Sequence, residues 1–186
     1  MSETSKSYIQ RYFSDFQMRA FSLDHNAFDL GCSAMIRTGD RGGRIFIVGN
    51  GGSAAIASHV AVDITKNLGI SALNFNEADF ITCYANDFGY DNWVEKAIRS
   101  HVRTVDLVIL ISSSGNSMNM INGAKVCEEI DIEFMTFSGF SPNNKLRNYG
   151  DIRFWVDSNN YNHVESIHQL WLLSMVDFLA ANLNKG

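Results

Sequence analysis

The passage from Arg44 to Ala57 constrains this chain more than any other. The apolar run Ile45-Phe46-Ile47-Val48 breaks into Gly49-Asn50-Gly51-Gly52-Ser53 and resumes as Ala54-Ala55-Ile56-Ala57. Four β-branched or aromatic residues in a row predict a strand buried on both faces. Three glycines in four residues end it, and Ser53 is placed to cap a following helix. A strand that turns on glycines into a helix can make an anion site. The backbone approaches closely, and the free N–H groups of the first helical turn lie at the positive end of the helix dipole. No Gly-Lys-Ser/Thr follows, so the turn is not a Walker loop, and the glycine spacing is not that of G-x-G-x-x-G. Alone, the passage fits either a phosphate loop or a tight strand-to-helix turn.

Alternation of this kind extends to the end of the chain. Upstream, Tyr8, Tyr12, Phe16, Phe21, Phe28, Met35 and Ile36 recur at helical spacing, which reads as one long helix or two. Their stripe is wide enough to meet another subunit, and Gly39-Asp40-Arg41-Gly42-Gly43 turns the chain into the first strand. The helix from about Ser53 to Asn67 sets His59 and Asp63 four residues apart, on one face. A short strand is expected over residues 71–75, a brief helix over 76–80 and a polar turn over 84–90. A helix over 93–103 leads to the most apolar strand, 107–111, which runs into Ser112-Ser113-Ser114-Gly115-Asn116-Ser117. Then come a helix over 117–129, a strand over 134–137, a loop with a short helix over 141–149, a strand over 152–156 and a closing helix from 161 to about Asn184.

Strand and helix in turn predict an α/β fold: a three-layer sandwich with a parallel sheet of about five strands covered on both faces. Ligands on such sheets bind beyond the C-terminal strand ends. Both the glycine-rich and the serine-rich turn fall there.

Length and composition limit the alternatives. The 186 residues suit a single domain, with residues 1–40 a helical segment for oligomerisation and 41–186 the α/β core. A net charge of −5 argues against nucleic acid or an anionic membrane as main partner. No apolar stretch has the length of a membrane span, and the first residues lack an apolar signal core. Cys32, Cys83 and Cys127 are odd in number and far apart, which fits reduced thiols and a cytoplasmic location. Cys83 and Cys127 read as buried small apolar residues. Trp171, Leu172, Leu173 and Met175 read as packing residues of a core or subunit contact.

Ser112, Ser113, Ser114 and Ser117 supply up to four hydroxyls at a helix start, and neither turn contains Lys or Arg. Hydroxyls and amides can hold a sugar phosphate by geometry, while the neutral lining keeps binding reversible. Two such turns at adjacent strand ends favour one shared phosphate over two unrelated turns.

In order and spacing, Gly49-Asn50-Gly51-Gly52-Ser53, Asn86-Asp87-Phe88-Gly89 and Ile111-Ser112-Ser113-Ser114-Gly115-Asn116-Ser117 resemble the sugar isomerase (SIS) domain. Within it they are most similar to the phosphoheptose isomerase branch, which converts sedoheptulose 7-phosphate to D-glycero-D-manno-heptose 7-phosphate. The resemblance covers the whole chain. It implies a phosphate site at Ser53, Ser112, Ser114 and Ser117, within loops that also hold Gly51, Gly52 and Ser113, and contacts to sugar hydroxyls at Asn50 and Asp87. It further implies a homotetramer with sites at subunit contacts, a metal-ligand position at His59 as in members that bind zinc, and no nucleotide cofactor.

The chain departs from the family pattern at three places. Asp63 stands where the family has a glutamate base. Glu165 stands where it has glutamine, within Val164-Glu165-Ser166-Ile167-His168-Gln169. Leu173 replaces a second histidine, while His168 keeps the first. Aldose–ketose isomerisation needs ring opening, proton removal beside the carbonyl and return of the proton to the neighbouring carbon through an enediol. Carboxylates and imidazoles shuttle such protons near neutral pH. His59 and Asp63 share one helix face, and the three-residue spacing of Glu165 and His168 places them on another. Converging, they would act as base and acid, with Glu165 the base and Asp63 and His168 in support, or hold one divalent ion through His59, Asp63 and Glu165. The reading is a sugar-phosphate isomerase for surface polysaccharide such as lipopolysaccharide or capsule. The alternative is a non-catalytic SIS module that binds a sugar phosphate or serves as scaffold for a replication initiator protein, as some SIS tetramers without the second histidine do.

Overall fold

The computed structural model describes residues 3–183. The expected end of the last helix at Asn184 lies outside them, as do the first two residues of the N-terminal stretch. Five parallel strands, β1 (Ile45–Gly49), β2 (Ala72–Leu73), β3 (Leu107–Ser112), β4 (Phe134–Gly139) and β5 (Ile152–Val156), pair in the order β2-β1-β3-β4-β5. Every residue of β1, β3 and β4 is buried, whereas the edge strand β5 alternates buried and more exposed positions. This difference follows from position in the sheet, since only inner strands are covered on both faces.

Side-chain alternation along the strands feeds two cores. Ile45, Ile47, Leu107, Ile109 and Ile111 pack with residues of α2 (His25–Asp40), α3 (Gly52–Leu68) and α7 (Tyr161–Leu183). Phe46, Val48, Val108 and Leu110 pack on the other face with α5 (Trp93–His101) and α6 (Met118–Glu129). The layers are those the alternation predicts.

Local differences have physical causes. The N-terminal stripe forms two helices, α1 (Ser5–Ala20) and α2, because Asp24 restarts the chain by accepting from the N–H groups of Asn26 (2.9 Å) and Ala27 (3.2 Å). The brief helix and polar turn expected over 76–90 merge into one helix, α4 (Ala78–Phe88), since Phe80, Ile81 and Tyr84 form a helical stripe against the second core. It ends at Gly89, at φ +84°. Cys127 is buried, which pushes its thiol up to about 12, but Cys83 is exposed on α4. Among the described residues, no helix is long and apolar enough to cross a membrane.

Candidate active site

The strand order reverses its direction of travel at β1 and β3, which pair in register with Gly49 beside Ile111. A crevice opens between the loops that leave two such strands. Here it is a cleft of about 300 Å³ lined by Asn50, Gly51, Gly52 and Ser53 after β1, by Ile111, Ser112, Ser113, Ser114 and Ser117 after β3, and by Tyr161 and Glu165 of α7.

The first loop enters α3 two residues earlier than the capping reading of Ser53 requires. Gly51 is the N-cap, at φ +54°, a backbone that glycine adopts readily, and no side chain caps the helix. Ser53 sits inside the first turn, buried, with its Oγ 3.5 Å from Ser113 Oγ. In the second loop Ser112 Oγ donates to Ser117 Oγ at 3.2 Å, and Ser114 Oγ accepts from the Asn116 N–H at 3.2 Å. Ser117 is the N-cap of α6 but makes no side-chain bond to the helix. Two helix N-termini without side-chain caps therefore border one cleft whose lining contains no Lys or Arg. What such a lining offers an anion is dipoles, amides and hydroxyls rather than a side-chain cation.

Tyr161 and Glu165 lie one helical turn apart and both reach the cleft. Glu165 is half-buried, and its Oε1 accepts from Ser113 Oγ at 3.3 Å. Its carboxylate also fills the space above Gly52, where a Cβ would stand 2.1 Å from Oε2. The Tyr161 ring meets Phe140 edge-on, with centroids 4.7 Å apart. Asn50 is held by a reciprocal amide pair with buried Asn119 (3.0 and 2.9 Å), and its Oδ1 also accepts from Tyr90 Oη at 3.1 Å.

The remaining candidate residues stand outside the cleft lining. Asp87 is exposed in the last turn of α4, accepting from Asn86 Nδ2 at 3.0 Å. His59 and Asp63 do share a face, with Nε2 3.5 Å from Oδ2, and α7 meets them through Gln169, whose Nε2 is 2.8 Å from His59 Nδ1. His168 is fully buried instead of facing the cleft with Glu165. Its Nε2 lies 3.0 Å from the Ser138 carbonyl oxygen, and burial pushes its pKa down to about 4 despite that bond. Three residues apart, Glu165 and His168 thus serve the cleft and the core respectively.

This placement tests the metal expectation within one chain. His59 and Asp63 offer two donors, while Glu165, the third, turns to Ser113. Among the described residues no three His, Cys, Asp or Glu side chains converge. Within one chain, the described residues do not assemble the set.

Sequence reasoning missed Tyr161, Asn119 and Tyr90. Helical spacing could have found Tyr161, one turn before Glu165. Tyr90 and Asn119 come from elements remote from Asn50 in sequence, and no local pattern marks them.

Comparison with known proteins agrees with this geometry. The SIS domain family matches residues 10–139. The chain is 33% identical to the phosphoheptose isomerase of Mycobacterium tuberculosis over 138 residues, 70% of this chain and 69% of that protein. It is 31% identical to the Aliarcobacter butzleri phosphoheptose isomerase over 142 residues, 73% of this chain and 75% of that one. The solved phosphoheptose isomerase of Neisseria gonorrhoeae superposes with a TM-score of 0.87 at 24% identity, covering 96% of this chain and 100% of that one. A phosphoheptose isomerase from Francisella tularensis gives 0.86 at 22% identity, over 95% and 98% of the two chains. On its sequence and its fold alike, this chain belongs to the SIS domain family, on the phosphoheptose isomerase branch.

Proposed function

We propose that the chain interconverts sedoheptulose 7-phosphate and D-glycero-D-manno-heptose 7-phosphate through an enediol, supplying heptose for surface polysaccharide. One observation carries this reading: amides and hydroxyls of two loops line the same cleft as a single carboxylate, that of Glu165. The phosphate rests on the loops at Gly51, Gly52, Ser53, Ser112, Ser114 and Ser117, and Asn50 meets a sugar hydroxyl. With the chain of the ketose open, Glu165 takes the proton from C1, giving the enediol, and returns it to C2 as the C1–O1 carbonyl forms. The O2 oxygen gains the proton that O1 loses. Ser113 keeps the carboxylate aimed, and His168, bonded to Ser138 beneath it, fixes the height of α7 against β4. Positioning and proton transfer of this kind suffice for rate gains of several orders of magnitude.

Exposed Phe13 on α1, Phe21 in the turn after it and Leu170 on α7 support a homotetramer built through these helices, and the unpaired cysteines support a cytoplasmic setting. In the oligomer Asp63 and Asp87 are candidates to approach a neighbour's cleft, and His59 with Asp63 to hold zinc. Leu173 favours the second reading, a scaffold without turnover, because it packs half-buried against the core and offers no proton.

The test is incubation of the purified protein with sedoheptulose 7-phosphate, with and without zinc or a chelator, following the aldose product. Turnover that Glu165→Gln reduces by about 10²-fold or more is expected. Sugar-phosphate binding with no turnover in any condition would establish the scaffold instead.

A further inference from the structure

We infer that the edge of β5 carries a second anion site, separate from the isomerase cleft, that takes a phosphate monoester of a small ring-bearing molecule. Arg153 and Trp155 are two residues apart on β5 and so project to the same face of the strand. Arg147, from the short 3-10 helix Leu146–Asn148, lays its guanidinium over the Trp155 ring, 4.3 Å from the centroid. All three line a cleft of about 430 Å³ whose other walls are Phe154, Trp171 and the α1–α2 turn at Ser22 and Asp24. It shares no lining residue with the cleft at β1 and β3.

Charge pairing sets this cleft apart. Among the described residues, Arg11, Arg19, Arg37, Arg44, Arg99 and Arg103 each pair with a carboxylate. Arg147 and Arg153 do not, nor does Arg41, which is exposed and lines no part of this cleft. Each of the two cleft arginines is instead pinned by one N–H to a backbone carbonyl: Arg147 Nη1 to Pro142 at 2.9 Å, and Arg153 Nε to Gly150 at 2.7 Å. Their other guanidinium N–H groups have no acceptor among the described residues. Asp24, the one carboxylate on the wall, uses its Oδ1 to cap α2.

A guanidinium stacked on an indole and held by a carbonyl has already lost much of its rotamer freedom, so less is lost when a ligand docks. Arg147, stacked and pinned, together with Arg153, pinned by the Gly150 carbonyl alone, matches a dianion, and the planar fork of each fits phosphate oxygens. The cleft lies within the size range of small-molecule sites and exceeds what a bare phosphate fills. Its indole and phenyl walls suit a ring attached to that phosphate.

Tryptophan fluorescence reads this site directly. Trp93 is buried in the second core, whereas Trp155 and Trp171 both line the cleft. The full-length protein is titrated with phenyl phosphate, and with inorganic phosphate as competitor. The same titrations are run on Arg147→Gln, on Arg153→Gln, and on a Ser114→Ala/Ser117→Ala variant that disables the isomerase cleft. Circular dichroism checks the fold of each, and both arginines carry enough surface exposure for substitution. The expected result is a saturable change with phenyl phosphate, weakened about tenfold or more by each arginine substitution and unaltered in the serine variant. No saturable change, equal affinity in the arginine variants, or loss of the signal in the serine variant would each overturn the proposal.

Discussion

The carboxylate of Glu165 rests against the backbone of Gly52, so close that a Cβ on residue 52 would meet Oε2 at 2.1 Å and Cδ at 2.6 Å. The start of α3 and the second turn of α7 are thereby fitted to one another, and the acid is set beside the glycine loop that follows β1. Gly52→Ala leaves the helix start conformationally allowed, since its φ is not in the left-handed region. The methyl group must instead displace the carboxylate. The expected outcome is a fall in kcat of about 10²-fold, with a thermal midpoint within a few degrees of the parent. Steady-state kinetics and a melting curve check it. Unchanged kcat would show that Glu165 need not lie there.

Tyr161 stands at the mouth of the same cleft, exposed but braced by Phe140, which itself adopts φ +58° and donates its N–H to the Ser158 carbonyl at 2.9 Å. A ring held at the rim acts on binding of the sugar more than on the chemical step. Tyr161→Ala is expected to raise KM about tenfold with kcat changed little, and Tyr161→Phe to lie between the two if its hydroxyl contacts the sugar. A matching fall in kcat for Tyr161→Phe would instead place the phenol in proton transfer.

How much of this could be read from the residues alone depended on how local the determinant was. The β1 loop and the serine loop are contiguous, with glycines and hydroxyls that have few other uses, and they were legible along with the layered sheet. The order β2-β1-β3-β4-β5 brings the two loops together, as their shared position at strand ends implied. His168 was not legible. Its spacing from Glu165 suits a shared face, yet α7 is apolar on several sides, and whether an imidazole turns to a cleft or to the Ser138 carbonyl is decided by packing across thirty residues of separation. Asp87 likewise belongs to a motif in sequence but within one chain sits on an exposed helical turn, because the stripe at Phe80, Ile81 and Tyr84 extends α4.

The reciprocal amide pair between Asn50 and Asn119 gives a third prediction. Asn119 is buried, so its removal loses two hydrogen bonds at once and leaves the Asn50 side chain only Tyr90 as a partner among the described residues. Asn119→Ala is expected to cost about 1–3 kcal/mol in urea unfolding and to raise KM, because the proposed contact of Asn50 with a sugar hydroxyl loses its support. Asn119→Asp keeps the shape but replaces the amide donor with an acceptor, which would face Asn50 Oδ1 and so restore neither property.

Burial of His168 makes stability depend on pH in a definite direction. Its pKa is pushed down to about 4 by burial, against the weaker raising effect of the Ser138 carbonyl, whereas the unfolded chain has the ordinary value near 6.5. Between these values the unfolded state binds a proton that the native state refuses. Stability is therefore retained above pH 6.5 and falls as pH drops toward 4, by about 1.4 kcal/mol per unit. Asp106 does not confuse this window: burial would raise its pKa, but hydrogen bonds from Arg103 and Arg44 bring it down to about 2, so its contribution is lost only below the ordinary carboxylate range. His168→Gln can still donate to Ser138 but does not titrate. At pH 7.5 the variant is expected to be less stable than the parent by about 1–2 kcal/mol, the cost of an imperfect fit in the core. The difference should shrink as the pH is lowered to 5, since only the parent loses stability to protonation of this ring. Urea unfolding of both proteins at pH 7.5, 6 and 5 measures it, with the pH values spanning about the window set by the two pKa values. A difference that stays constant across that range would mean the ring takes up its proton in the folded state as easily as in the unfolded one, and the buried, neutral His168 beneath β4 would have to be given up.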